Sequence, residues 1–143
     1  MSPLQITTIS PENRSQVIEA IRTNLSSFNR SKTDIASREE IVLTATNEKK
    51  ELVGGVYGEL WGGCLEVKLL WVSEQVRDQG VGSELMTSLE EVVRQKGCVK
   101  ILTDTFSFQA PEFYPKLGFV ECFRVQGYSN TEISRVFFTK DVE

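Results

Sequence analysis

The 143-residue sequence predicts an α/β fold, a mixed sheet of about six to seven strands flanked by helices. Three observations carry this. Apolar positions change period along the chain, from two to 3.6 and back. Three consecutive strand patterns are followed by a long amphipathic helix and another strand, which is the signature of a parallel crossover. Length and composition suit one core, with 40% hydrophobic and 25% charged residues. No linker, internal repeat or low-complexity tract interrupts the chain, so residues 1–143 read as a single domain.

The elements follow in order. Leu4 to Ile9 roughly alternates and predicts a first strand, and Ser10-Pro11 starts a helix with proline at its first position. Val17, Ile18, Ile21, Leu25 and Phe28 give that helix one apolar face, which is expected to pack inward. The polar stretch Asn29 to Asp34 then reads as a loop or a second helix. Ile41 to Thr46 and Leu52 to Tyr57 flank a turn at Asn47 to Lys50, and Gly62-Gly63 turns into a third strand, Cys64 to Val72. Leu85, Met86, Leu89, Val92 and Val93 define the long helix, with Gly97 as its stop. Val99 to Thr103 is a strand, Ala110 to Leu117 a short helix, and Phe119–Val125 and Ile133–Thr139 are closing strands.

Composition excludes several chemistries. Without histidine there is no Ser-His-Asp triad, Cys-His dyad or His-ligated zinc. Acid-base work falls to carboxylates, Tyr, Lys, Cys or water. Cys64, Cys98 and Cys122 lie far apart among apolar residues, so they read as buried thiols rather than a disulfide framework or metal site. A net charge of −4 with scattered cations argues against nucleic acid or an anionic membrane as partner. No run approaches the ~20 apolar residues of a membrane span, and Met1 to Gln5 lacks a basic leader, so a cytoplasmic location is expected.

The chemistry concentrates in Arg77-Asp78-Gln79-Gly80-Val81-Gly82-Ser83, between a strong strand and the first turn of the long helix. Glycines there let the backbone approach a ligand, and a helix start offers free N–H donors at the positive end of its dipole. This is an anion site in sequence form. It has no P-loop lysine, and Leu85 stands where a dinucleotide fold has its third glycine, so neither ATP nor NAD is favoured. A tight structural turn that merely uses glycine is the bland alternative.

The stretch from Leu69 to Met86, with its Arg77-x-x-Gly80-x-Gly82 run, closely resembles the acetyl-CoA-binding motif of the GNAT family of N-acetyltransferases. Ala110-x-x-x-Tyr114-x-x-x-Gly118-Phe119 resembles the same family's second signature. The resemblance implies a fold in which two central parallel strands, ending at Val72 and near Asp104, splay into a V-shaped cofactor cleft. It further implies that the backbone of Leu70, Trp71 and Val72 pairs with the pantetheine arm. The N–H groups of Val76, Arg77, Asp78, Gln79, Gly80, Val81, Gly82 and Ser83 would hold the pyrophosphate. Ser107 stands where the family often has a cofactor-binding Asn.

Acetyl transfer to an amine needs a proton acceptor for the ammonium and a proton for the departing thiolate. Glu66 resembles the glutamate base of the family's histone acetyltransferases, and reads equally as the solvated face of an alternating strand. Asp104 is the second candidate base, or else a turn acid. By resemblance Tyr114 is the acid, and packing is its alternative. Phe106, Phe108, Phe113, Phe119 and Phe123 are expected mostly in the core, while Trp61 and Trp71 either line an acceptor pocket or are buried. The reading is an N-acetyltransferase using acetyl-CoA, without metal, on a small-molecule amine. An acyl-CoA-binding regulatory module without turnover is the alternative, and transfer of a bulkier acyl group a third. The segment Ser26 to Ser37 is where such folds build the acceptor wall. Monomer and homodimer both fit the sequence.

Overall fold

The computed structural model describes residues 3–35, 37–129 and 132–143. Contacts divide the chain into two compact units, residues 1–37 and residues 38–143.

In the first unit, residues 3–10 form no strand, against the expectation for Leu4 to Ile9. The alternation there is short and broken by Thr7-Thr8, too little to specify a ladder. A 3-10 turn, Pro11–Asn13, leads into helix α1, Arg14–Lys32. Ser10 makes no side-chain cap; its hydroxyl instead accepts from Asn13 Nδ2 at 3.1 Å. The helix runs through Asn29 to Lys32, where a loop or a new helix was expected, because Arg30 and Lys32 suit the negative end of its dipole. Thr33 closes it, donating both its N–H and its hydroxyl to the Asn29 carbonyl at 3.1 Å.

The second unit is a six-stranded mixed sheet in the order β1-β2-β3-β4-β6-β5. Its strands are β1, Glu39–Thr46; β2, Leu52–Trp61; β3, Cys64–Val72; β4, Lys100–Phe106; β5, Val120–Tyr128; and β6, Ile133–Asp141. Helix α2, Val81–Arg94, crosses β1, β2 and β3, and α3 is the single turn Phe113–Lys116. The turn between β1 and β2 forms as expected. Asn47 Oδ1 accepts from the N–H groups of Lys49 and Glu51 at 2.9 and 3.0 Å.

Helix α2 buries Leu85, Met86, Leu89 and Val93 against the sheet. At ~1.5–3 kcal/mol per buried side chain, that face contributes roughly 6–12 kcal/mol and fixes where the helix begins. Ile41, Val56, Leu65, Val67, Ile101, Val136 and Phe138 complete the core from the sheet side.

Two features of β3 shape the cleft. Tyr57 pairs with Leu69 but Gly58 with Val67, so Lys68 is an extra residue in a bulge. A side chain at Gly58 would place its Cβ 2.9 Å from the Glu66 carbonyl oxygen, so glycine lets β2 approach the bulged strand. The bulge reverses the faces. Before it Leu65 and Val67 are buried, and beyond it Leu70 and Val72 pack on the core while Leu69 and Trp71 are exposed. The second feature is that β3 and β4 pair in parallel only through Cys64↔Lys100, Leu65↔Ile101 and Glu66↔Leu102. Past that rung β3 continues to Val72 and β4 to Phe106 with no pairing between them. The two strands open into a V whose vertex is Glu66 and Leu102.

Other expectations need correction. Helix α3 is shorter than Ala110 to Leu117, with Pro115 inside its one turn. Strand β4 runs on to Phe106, so Asp104 lies within a strand rather than in a turn. Of the three cysteines only Cys98 is buried; Cys122 is exposed because edge strand β5 has little covering either face. Phe108 and Phe123 are likewise exposed, and Trp71 half so, whereas Phe119 is core. Among the described residues no helix is long and apolar enough to cross a membrane.

Candidate active site

The loop before α2 is an array of free donors. Val76 N–H donates to Ser73 O at 3.1 Å and Arg77 N–H to Glu74 O at 3.4 Å. The first helical bond is Glu84 N–H to Gly80 O at 3.0 Å. Among the described residues, the N–H groups of Asp78, Gln79, Gly80, Val81, Gly82 and Ser83 have no backbone acceptor. The expected run therefore loses Val76 and Arg77, whose N–H groups close the 3-10 turn Glu74–Val76.

Left-handed residues aim this array. Asp78 has φ 66° and Gly80 φ 79°, so successive N–H groups turn to one side, as in an anion nest. A Cβ added at Gly80 would meet nothing within 4 Å, so the loop is open at that residue, whereas one at Gly82 would lie 3.3 Å from Phe113 Cζ. Arg77 adds a guanidinium at the rim, held by the Val72 carbonyl at 3.4 Å and by Glu74 at 3.7 Å.

Tyr114 comes from α3 to the face of the sheet that α2 covers. Its ring packs edge-on against Phe113 at 5.1 Å and Phe119 at 5.4 Å, and lies tilted on Phe138, also at 5.4 Å. Burial pushes its hydroxyl above the usual tyrosine range, a side-chain hydrogen bond with Thr103 opposes that rise, and the Asp104 carboxylate adds to it. Tyr114 is thus a neutral phenol at ordinary pH, able to give a proton.

Glu66 occupies the vertex of the V on the opposite face, since its neighbours Leu65 and Val67 point into the core. Its carboxylate is 3.2 Å from Lys68 Nζ and 47% exposed, so it is open to solvent and to a ligand in the cleft. Directly across lies Glu59, which accepts from the Tyr57 hydroxyl at 2.8 Å. Asp104 shares the Glu66 face but is engaged. Arg135 grips both of its oxygens at 2.9 Å, and this pair with the Tyr128 hydrogen bond holds the guanidinium firmly protonated. Sequence reading missed Arg135, because its partner lies 31 residues away across a ladder.

Ser107 is also spoken for. Its N–H donates to Ser134 O at 2.8 Å and its hydroxyl accepts from Ser134 N–H at 3.0 Å, extending the β4–β6 pairing by one rung. The open backbone edges of Leu70, Trp71 and Val72 line the β3 arm of the V. The segment Ser26 to Ser37 belongs to the first unit, and its Ala36 lies outside the described residues.

A free N–H nest beside two splayed parallel strands is the geometry the sequence motifs anticipate, and the sequence model of the acetyltransferase (GNAT) family matches residues 11–119. The chain belongs to the GNAT acetyltransferase family. Among its relatives, an acetyltransferase of Agrobacterium fabrum is 31% identical over 103 residues, covering 72% of this chain and 75% of that one. The blasticidin-S acetyltransferase of Streptomyces morookaense is 40% identical over 76 residues, 52% of this chain and 56% of that one. A crystal structure of an acetyltransferase from Bacillus cereus superposes with a TM-score of 0.81 at 35% identity, covering 96% of this chain and 97% of that one. At 20% identity, which speaks for the fold alone, an aminoglycoside 6'-N-acetyltransferase solved with coenzyme A has a TM-score of 0.66 and covers 73% of this chain and 74% of that one. This GNAT chain is accordingly an acetyltransferase, with its two motifs at the mouth and on one face of the V.

Proposed function

We propose that this acetyltransferase moves the acetyl group of acetyl-CoA onto the primary amine of a small molecule, by direct transfer in a ternary complex. The observation that carries the reading is the V itself. Six N–H groups without backbone acceptors stand at the start of α2, and two strand edges stop pairing at Glu66 and Leu102.

The residues present fit a CoA thioester. The N–H groups of Asp78, Gln79, Gly80, Val81, Gly82 and Ser83 suit a diphosphate at a helix start. The free edge of Leu70, Trp71 and Val72 suits an extended arm carrying amide groups, added as a strand is added. When bound, acetyl-CoA supplies an activated acyl carbon and a thiolate leaving group.

The chain's own groups supply the proton transfers. Glu66 accepts the ammonium proton, directly or through water, so that the nitrogen can form its bond to the acyl carbon. Tyr114 gives its proton to the sulfur as the carbon–sulfur bond breaks, because a buried neutral phenol can donate without becoming exposed to water. Asp104, held by Arg135, keeps the β4 arm in place rather than acting as the base. Ser107 does the same through Ser134.

A small-molecule acceptor draws support from the blasticidin-S acetyltransferase relative. The net charge of −4 favours a cationic amine. On this reading residues 1–143 act as one domain in the cytoplasm, with neither nucleic acid nor membrane as partner.

The test is CoA release from acetyl-CoA with a panel of amines: an aminonucleoside antibiotic, an aminoglycoside, a polyamine, an amino acid and a peptide. Release stimulated by a small amine supports the reading. Release with the peptide alone would move the acceptor to protein. CoA binding without release from any amine would make the chain a binding module.

A further inference from the structure

We propose that the free edge of β5 pairs with β5 of a second copy of this chain, antiparallel about a two-fold axis through Phe123, so that one sheet continues across a homodimer. The inference stands apart from the chemistry at the V, from which β5 is separated by β6.

The edge itself comes first. β5 ends the strand order, and among the described residues it pairs with β6 alone. An edge presents a row of unpaired N–H and C=O groups, which natural proteins blunt with lysine, proline or a very short strand. β5 is nine residues long, Val120–Tyr128, and holds neither lysine nor proline. Its two charges, Glu121 and Arg124, neutralise one another through hydrogen bonds of 2.9 and 2.8 Å. Val120 is 67% exposed, Phe123 55% and Val125 42%.

The register against β6 sorts these side chains by face. Glu121 and Arg124 stand opposite the core residues Phe138 and Val136, whereas Val120, Phe123 and Val125 stand opposite Thr139, Phe137 and Arg135 on the other face. Cys122 is the extra residue of a bulge. Val120, Glu121, Phe123, Arg124 and Val125 therefore occupy successive rungs, with Phe123 in the middle. A second β5 turned about an axis through that rung, perpendicular to the sheet, meets the first with matching faces. Phe123 meets Phe123, while Val120 meets Val125 and Glu121 meets Arg124, each of these two pairings occurring on both sides of the axis. The four charges close into a square of alternating sign, because each carboxylate has one guanidinium in its own chain and another across the axis. Moving the axis by one rung sets Glu121 against Glu121 or Arg124 against Arg124, so the charges select this register. That self-complementarity is what points to a second copy rather than to a strand of another sequence.

The experiment is sedimentation velocity of the full chain across a concentration series, where wild type should show a monomer–dimer equilibrium. Glu121→Arg and Arg124→Glu each set like charges across the axis and should weaken the dimer by about 10-fold or more. An equal mixture of the two variants should recover association, because an all-cationic edge then faces an all-anionic one. Like charges still repel within each chain of that mixture, so the recovery cannot come from a repaired fold. On the unaltered chain a short bismaleimide should join Cys122 to Cys122, whose Cα atoms stand about 8 Å apart by strand spacing and rise, and Cys122→Ser should abolish the product. A wild-type chain that stays monomeric, association unmoved by either charge reversal, a mixture no tighter than its components, or absence of the Cys122 crosslink would each overturn the proposal. A monomer at every concentration would leave the edge to a partner of different sequence.

Discussion

Gln79→Glu is the most discriminating perturbation of the donor array, because it changes charge at nearly constant shape. Gln79 is exposed and sits one residue before the α2 N-cap. A carboxylate there lies close to any anion held by Asp78 to Ser83. For a charge pair about 6 Å apart, the repulsion is roughly 0.7 kcal/mol at the dielectric of water and roughly 3 kcal/mol at an effective value of 20. That converts to about 3-fold to about 100-fold weaker CoA binding. The same charge beside a helix N-terminus should stabilise the fold slightly, by ~0.3–1 kcal/mol. The two effects have opposite signs, so general damage cannot imitate them. Calorimetry of CoA at low salt should show the loss, and at 1 M salt most of it should vanish, since the screening length falls to about 3 Å. Gln79→Lys should tighten binding under the same low-salt conditions. Unchanged affinity for the glutamate variant at low salt, with the protein folded, would refute the placement of the diphosphate.

Other outcomes rest on the same geometry. Tyr114→Phe should bind CoA normally and turn over ~10²-fold more slowly, the lower end for a general acid; single-turnover CoA release checks it. Its stability should also respond differently to alkali. Burial raises the Tyr114 pKa in the folded state, so the associated stability is intact below the unfolded value near 10 and lost as pH rises through the folded value. Melting temperatures of wild type and variant measured across pH 8 to 12 should therefore shift in favour of the variant above about pH 10. Glu66→Gln should lower kcat/KM most near neutral pH, with the loss shrinking as pH approaches the amine's own pKa; a uniform loss would mean positioning rather than proton transfer. Gly82→Ala puts a Cβ 3.3 Å from Phe113 Cζ and 3.6 Å from Val72 Cγ2. It should destabilise the fold by ~1–3 kcal/mol through overpacking, read as a shift in the denaturant midpoint.

What sequence alone determined is local. The Gly80–Gly82 turn, the α2 face, the Asn47 turn and the Gly62-Gly63 turn arise from residues within a few positions of one another, so short-range sterics and periodicity specify them. The same holds for the two motifs that tie Arg77–Ser83 and Ala110–Phe119 to the GNAT family. Leu4 to Ile9 shows the limit, because a strand needs a ladder and alternation only permits one. Tertiary structure decided where the chemistry stands. Lys68 bulges because Gly58 on the neighbouring strand admits the Glu66 carbonyl, and that one extra residue sends Leu70 to the core and Trp71 to solvent. The V opens at Glu66 because its pairing with β4 ends there, and no residue in β3 announces this on its own. Asp104 reads in sequence as a second candidate base or a turn acid, and only the β4–β6 ladder brings Arg135 onto both of its oxygens. Each of these depends on partners distant in sequence, whose meeting is fixed by strand order and register rather than by neighbouring residues.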